Sequence, residues 1–517
     1  MKNYDVIVIG SGSANIVIDE AISHGKKCAL IEMGKFGGTC LTRGCIPTKV
    51  MVSVADFIRQ AKHVEKIGLK IHDIDVDFDL IKQRVEKKIN VESNEVYEYY
   101  ANQKNVDVYK ATAKFVSNKE IKIIYNDKSK GEEIITGQII VIGAGARTKI
   151  PKIEGMEEVK YITSETFFGD KFPKKPYKSL TVIGGGYIGM EFAHIFSAFG
   201  SEVNVVQHNK YILPKEEREI STKALEIFSS YGINIFTNKD TIRMYEEDGL
   251  KVLEFKDITT GEVQSVKSEE IIVCPGVKSN SDLLDIENTD ISLKNGYIRT
   301  NEFLETTVPD VYAIGDINGM YQFRHKANYE AETLSHNLFD AKLKKENEES
   351  TNKNHEFVYY DTVPAVTYTF PQVAHVGLTE KEALEKGYDI KVAKHFYSQT
   401  AKGYSLGYDA GDLNDGFIKI IVDKNDSQIL GVHIIGEEAS LLLQAYVEIM
   451  NSGVKTLKVI NEDITSKTTD IYRNDKNYCI LRKSNSLELT NNTMVAHPSL
   501  SEVSMWTRYM EFKDVLK

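Results

Sequence analysis

Twice in this chain an apolar strand runs into a glycine-rich turn that opens a helix, and this recurrence restricts the fold to the α/β class. Tyr4 to Ile9 is a β-rich apolar run, Gly10-Ser11-Gly12-Ser13-Ala14-Asn15 follows, a helical pattern extends to about His24, and Cys28 to Glu32 is a second strand ending in an acid. The second copy has a strand over Ser179–Ile183, the turn Gly184-Gly185-Gly186-Tyr187-Ile188-Gly189, a predicted helix over Met190–Phe199 and a strand over Glu202–Val206. Glycines at these positions leave room for the tight turn and for a pyrophosphate lying on the helix N-terminus. Glu32 stands 32 − 10 = 22 residues after Gly10, near the spacing of an acid that binds a ribose hydroxyl. In the second unit that position, 207 − 184 = 23 residues on, is Gln207, followed by His208 and Lys210. The missing carboxylate suits the 2′-phosphate of NADPH, while Gln207 could still bond the ribose of NADH, so the pattern leaves NAD or NADP open.

The chain has 517 residues, enough for several domains, and 64 Lys plus Arg against 75 Asp plus Glu give a net charge of −11. That balance, with no basic cluster, excludes nucleic acid as the main partner. No run approaches the roughly 18 apolar residues of a membrane span, and the N-terminus lacks a signal-peptide pattern, so the expectation is a cytoplasmic protein. Five cysteines are too few for a disulfide scaffold; a close pair in such a chain points to catalysis or metal binding.

That pair is Cys40 and Cys45, in Gly37-Gly38-Thr39-Cys40-Leu41-Thr42-Arg43-Gly44-Cys45-Ile46-Pro47-Thr48-Lys49. The two could close a short disulfide loop; a zinc site would need further Cys or His ligands, and the neighbouring sequence has none. Pro47 suits an early helical position, which would put a Cys45 thiolate at the positive end of the helix dipole and lower its pKa. Near the C-terminus, His497-Pro498-Ser499-Leu500-Ser501-Glu502 offers an acid/base with a carboxylate to orient it.

GGTCLTRGCIPTK, GGGYIGME, YAIGD and HPSLSE, in this order over almost the whole chain, resemble the class I pyridine nucleotide–disulfide oxidoreductase family, on its dihydrolipoamide dehydrogenase and mycothione reductase branch. The resemblance implies a homodimer of two Rossmann-like domains, for FAD and for NAD(P), with a C-terminal α+β dimerisation domain. The expected boundaries are 1–150 (FAD, first part), 151–277 (NAD(P)), 278–345 (FAD and central, second part), 346–356 (linker) and 357–517 (dimerisation). It implies that Gly10, Gly12, Glu32, Gly38, Thr39, Lys49, Gly145 and Asp316 hold FAD. Gly184, Gly186, Tyr187, Gly189, Gln207, His208, Lys210 and Gly276 would then hold NAD(P), with Tyr187 covering the nicotinamide pocket. Lys49 and Glu191 would pair beside the flavin. Cys45 would be the sulfur next to the flavin and Cys40 the one exchanging with substrate. His497, from the other subunit, would be the acid/base, backed by Glu502. No resident metal is implied.

The activity implied is oxidation of dihydrolipoamide by NAD⁺, or NADPH-dependent reduction of a low-molecular-weight disulfide as in mycothione reductase. The substrate would be a small dithiol or disulfide, or a lipoyl group on a partner protein. Three departures stand out. Asn15 replaces a glycine, Cys274-Pro275-Gly276-Val277-Lys278 replaces an ATGR-like stretch, and about 456–493 is an insert of roughly thirty residues next to His497, expected to shape the substrate mouth.

Overall fold

The computed structural model describes residues 1–340, 355–475, 478–484 and 486–509. Most of the expected linker, 346–356, lies outside the described residues.

The first sheet grows from strand β1 (Lys2–Ile9), which pairs in parallel with β2 (Cys28–Glu32) on one side and β5 (Glu132–Ile142) on the other. Beyond β2 comes β3 (Val106–Phe115), beyond β5 comes β10 (Val311–Ala313), both parallel, and β4 (Glu120–Tyr125) joins β3 to β5 antiparallel. A strand with parallel neighbours and helices on its faces is buried on both sides, so it reads as one apolar run; Val6, Ile7 and Val8 are fully buried. Helix α1 (Asn15–Ser23) lays Val17, Ile18 and Ala21 on that sheet beside Val6, Val8 and Leu30.

The second sheet is also parallel, in the order β9 (Glu270–Val273), β6 (Ser179–Ile183), β7 (Glu202–Val206) and β8 (Ile233–Phe236). Strands β6 and β7 match the sequence expectation. The helix after the turn, α4, covers Tyr187–Ala198 and so begins three residues before the expected Met190. The extended Gly186 caps it, which makes Tyr187 the first helical residue.

The third sheet is antiparallel, in the order β11 (Ala365–Thr367), β12 (Gln372–Gly377), β15 (Ile429–Gly436), β14 (Phe417–Asp423) and β13 (Ile390–Phe396), and helix α7 (Ala439–Asn451) packs Leu443 and Val447 on it. It is tied to the second sheet's domain by buried charge. Lys419 Nζ on β14 donates to Glu217 at 3.0 Å and Glu219 at 2.7 Å and pairs with Glu380 at 2.6 Å, while His375 Nδ1 on β12 meets Glu216 at 2.7 Å.

The insert has structure of its own. Strands β16 (Gly453–Thr456) and β17 (Cys479–Arg482) form a hairpin, and between them helix α8 (Lys467–Arg473) docks on the 299–305 stretch of the same chain. Arg473 grips the fully buried Glu302 with two hydrogen bonds of 2.7 and 2.9 Å, Ser466 Oγ donates to Glu305 at 2.6 Å, and Tyr472 packs with Phe303 and Phe357. The insert is thus anchored on the FAD-side domain of its own chain.

Candidate active site

Cys40 lies in a single helical turn, Gly38–Thr42, and Cys45 is the first residue of helix α2 (Cys45–His63). The turn requires glycine: Gly38 has φ +67°, and a Cβ there would sit 2.7 Å from Gly12 Cα, so this loop presses directly on the first glycine turn. Pro47, the third helical residue, occupies the first turn, where a missing N–H costs nothing. Cys45 therefore stands at the helix N-terminus, as its spacing predicts, and both cysteines are free thiols.

Cys40 Sγ lies 3.1 Å from His497 Nε2, and His497 Nδ1 lies 2.5 Å from Glu502 Oε1. The Trp506 ring stacks on the imidazole with centroids 6.5 Å apart. The two sulfurs have opposite acidities. A hydrogen bond from the Cys40 thiol, with the charges of His497, Lys49 and Arg324, brings Cys45 down to about 6 against its own burial. The same hydrogen bond, with burial, holds Cys40 well above the usual thiol range. In the reduced pair the negative charge thus rests on Cys45, and the proton of Cys40 faces a base held by a carboxylate.

In the single chain His497 takes this position beside Cys40, where the resemblance expects the imidazole of the other subunit. The same fold supplies the third ligand that the sequence around the cysteines lacks, since Cys40, Cys45 and His497 offer ligand atoms all within 4.8 Å of one another. A soft metal ion could occupy that trio only in competition with the exchange chemistry of the same atoms.

Lys49 Nζ donates to Glu191 Oε2 at 2.7 Å, and Glu191 Oε1 accepts from the Tyr368 backbone N–H at 3.0 Å. The ammonium lies 4.4 Å from the Tyr368 ring centroid, so the expected pair exists and has a third member that sequence reasoning missed. Arg324 was missed as well; its signal was its place in the stretch after Asp316, at the start of helix α6 (Arg324–Ser335).

One continuous cleft joins these groups to the first glycine turn. Gly10, Gly12, Gly38, Thr39 and Gly145 line it, as do Glu32, Lys49, Glu191, Tyr187 and Asp316, and it reaches Cys40, Cys45 and His497. Glu32 takes hydrogen bonds from Ser11 N, Ser11 Oγ and Gly34 N at 2.8–2.9 Å, which fixes the turn. Burial pushes the Asp316 carboxyl up to about 6. Behind it, the fully buried pair Lys326–Glu330 holds the Gly315–Asn318 turn, with Lys326 donating to Gly315 O and Asn318 Oδ1 at 3.0 and 2.9 Å.

Of the second turn, Tyr187 and Ile188 reach this cleft while its glycines do not line it. A Cβ on Gly189 would fall 1.9 Å from Gly184 O, so only glycine lets α4 pack there. The Gln207 side chain is already committed, accepting from Gly185 N at 2.8 Å and donating to Tyr211 O at 3.1 Å. His208 and Lys210 are exposed, and Lys210 shares the Tyr211 ring with Arg218, a cation that sequence reasoning missed. Gly276 adopts φ +127°, beyond β9.

Residues 4–331 match the pyridine nucleotide-disulphide oxidoreductase family, and residues 363–469 match its dimerisation domain, a match that ends before His497. The chain belongs to the pyridine nucleotide-disulphide oxidoreductases. Members of this family use FAD and NAD(P)H. The chain is 31% identical over 454 residues to a mycothione reductase of Mycobacterium tuberculosis, covering 88% of this chain and 94% of that one. It is 31% identical over 446 residues to a mercuric reductase of Lysinibacillus sphaericus, covering 86% and 76%. To a dihydrolipoyl dehydrogenase of Rhizobium etli it is 30% identical over 465 residues, covering 87% and 92%. Among solved structures, an HOCl-induced flavoprotein disulfide reductase of Escherichia coli in its Cu(II) complex has the same fold, with a TM-score of 0.73 at 23% identity over 98% of this chain and 99% of that one.

The cleft suits the FAD of this oxidoreductase family. A Cβ at Gly10 would lie 2.4 Å from Gly143 O, so only glycine lets the two backbones close up at the turn that lines the cleft. The buried Nε of Arg43, at the cleft wall, has no protein partner. Asn15, the departure from the motif, opens α1 without obstructing the turn, and its Oδ1 is buried without a partner. Among the described residues no helix is long and apolar enough to cross a membrane.

Proposed function

We propose that the protein is an NAD(P)H-dependent oxidoreductase in which Cys40 exchanges with a small disulfide, Cys45 resolves the exchange, and His497, oriented by Glu502, moves the proton. The placement of the His497 imidazole between Cys40 Sγ and Glu502 carries this reading. Bound FAD supplies two-electron transfer between NAD(P)H and the Cys40–Cys45 disulfide. In the reduced pair His497 takes the Cys40 proton, and the sulfur attacks the substrate disulfide. One substrate thiol leaves with the proton returned by His497. The Cys45 thiolate then attacks Cys40, restores the internal disulfide and releases the second thiolate, which takes a proton from solvent. Lys49, paired with Glu191, keeps a positive charge near Cys45 throughout.

Strand β7 ends without a carboxylate, Gln207 is spent on its own turn, and Lys210 and Arg218 flank Tyr211, which supports NADPH and hence net reduction of a disulfide. Oxidation of dihydrolipoamide is the second reading, supported by the dimerisation-domain stretches Phe370–Ala383 and Ile429–Ser440 and by the Rhizobium etli relative. The test follows absorbance at 340 nm with NADPH or NADH and a panel of low-molecular-weight disulfides, and with NAD⁺ and dihydrolipoamide in reverse. Turnover with NADPH and a disulfide upholds the first reading, and turnover only with dihydrolipoamide and NAD⁺ the second. Turnover with neither overturns the exchange reading.

A further inference from the structure

We propose that Arg324 sets the substrate class: the disulfide exchanged at Cys40 carries an anionic group, a carboxylate above all, close to its sulfur, and the Arg324 guanidinium binds that group. This deepens the exchange reading of Cys40 and rests on it. The argument is one of charge balance around the two sulfurs. The other basic side chains there are spent. Lys49 pairs with Glu191 at 2.7 Å, and His497 pairs with Glu502 at 2.5 Å. Lys326 is fully buried, pairs with Glu330 at 3.1 Å and donates to Gly315 O at 3.0 Å. His325 donates from Nε2 to Pro364 O at 2.8 Å, and burial brings it down to about 4, so its ring is neutral. Arg43 reaches away toward Gly34, where a Cβ would lie 4.0 Å from its Nη1.

Arg324 has no such counterpart. It is the first residue of α6, it is half-buried, and it lines the same cleft as Cys40 and Cys45. Its Nε donates to Asn328 Oδ1 at 3.0 Å, and among the described residues no carboxylate pairs with it. Its own helix gains nothing from the charge: a cation in the first turn opposes the helix dipole, and that turn holds no acid. The Cys40 thiol, held up by its hydrogen bond to Cys45 and by burial, is drawn down by Arg324 more than by Lys49. At Cys45, lowered first by the hydrogen bond from Cys40, Lys49 outweighs Arg324. The unbalanced charge therefore stands on the side of the sulfur that exchanges with substrate. Arg324 and both cysteines lie in the FAD-side part of the chain, so this arrangement is the same whichever subunit supplies the imidazole. A planar guanidinium forms a charge-assisted pair with a carboxylate and repels a cation, so one side chain both selects and rejects.

The test uses the flavin-loaded protein with NADPH or NADH and three disulfides that share the same two-carbon arms: anionic dithiodipropionate, neutral hydroxyethyl disulfide and cationic cystamine. The expected order of kcat/KM is anionic, neutral, cationic. Arg324→Met should lower the anionic-to-neutral ratio at least about fivefold, as the loss of one charge-assisted hydrogen bond requires. Arg324→Lys should keep most of the ratio, and Arg324→Glu should turn the preference to cystamine. Arg324→Gln replaces Arg324→Met if the latter does not fold. A native protein that prefers the neutral or the cationic disulfide overturns the proposal, as does a smaller drop in the ratio. If none of the disulfides nor the wider panel is turned over, the exchange reading fails instead, and the charge is judged by alkylation. Dithiothreitol-reduced protein is treated with iodoacetate or iodoacetamide, and the rate at Cys40 is followed by peptide mass. Arg324→Met should lower the ratio of the iodoacetate rate to the iodoacetamide rate at least about fivefold, and a smaller change overturns the role given to Arg324.

Discussion

Replacing His497 with Gln removes the imidazole that lies 3.1 Å from Cys40 Sγ while keeping an amide within reach of Glu502. The size of the effect follows from the acidity of Cys40. Its thiol is held well above the usual thiol range by its hydrogen bond to Cys45 and by burial, so without a base little of it is thiolate at neutral pH. Loss of a general acid/base usually costs about 10²–10⁴ in rate, or about 3–5 kcal/mol of barrier. The assay compares disulfide reduction with reduction of ferricyanide by NAD(P)H, which does not need the cysteines. Disulfide turnover should fall by at least two orders of magnitude, with ferricyanide turnover preserved within about twofold, and raising the pH toward 10 should recover part of the loss as Cys40 deprotonates unaided. A fall of less than tenfold, or an equal fall in both assays, would refute the role assigned to His497.

Cys45→Ser should abolish disulfide turnover with flavin still bound, as read from the visible absorbance of the purified protein. Because Cys45 is brought down to about 6, exchange should be supported above that pH and lost as pH falls through it; Lys49→Met removes a nearby cation and should move the midpoint upward in a pH–rate profile. Asp316 is raised to about 6 by burial, so folding favours its protonated form and its penalty grows as pH rises from about 4 to 6. Asp316→Asn in flavin-depleted protein should therefore gain on the order of 2 kcal/mol at pH 7.5, with no gain at pH 4, by urea denaturation. Gly189→Ala places a methyl 1.9 Å from Gly184 O, and should cost about 1–3 kcal/mol together with most of the affinity for NAD(P)H, measured by melting and by KM.

Both glycine turns and their strands were legible because the constraints are local: backbone approaching backbone at Gly10, Gly38 and Gly189 excludes any side chain, whatever the rest of the chain does. The opposed acidities of Cys40 and Cys45 were half legible. The helix start at Cys45 shows in Pro47, but the hydrogen bond between the sulfurs and the charge of Arg324 depend on folding. His497 showed as a residue and not as a position. The segment before it is held by Arg482 and Asn451, both bonded to Asn492 O, from stretches of chain that share no periodicity. Tyr368 was silent for a similar reason: it contributes a ring face and a backbone N–H, neither of which marks a sequence.

The buried lysine on β14 has a kinetic consequence. Lys419, ringed by Glu217, Glu219 and Glu380, bolts the coenzyme domain to the C-terminal sheet along one edge. A domain fixed there cannot swing open as a whole to admit and release a dinucleotide, a motion that would set a microsecond-to-millisecond pace. Tyr187, which lines the cleft beside Phe323 with ring centroids 6.2 Å apart, can turn without moving that domain. A side chain moves at the rate of a rotamer change, far faster than a domain swing.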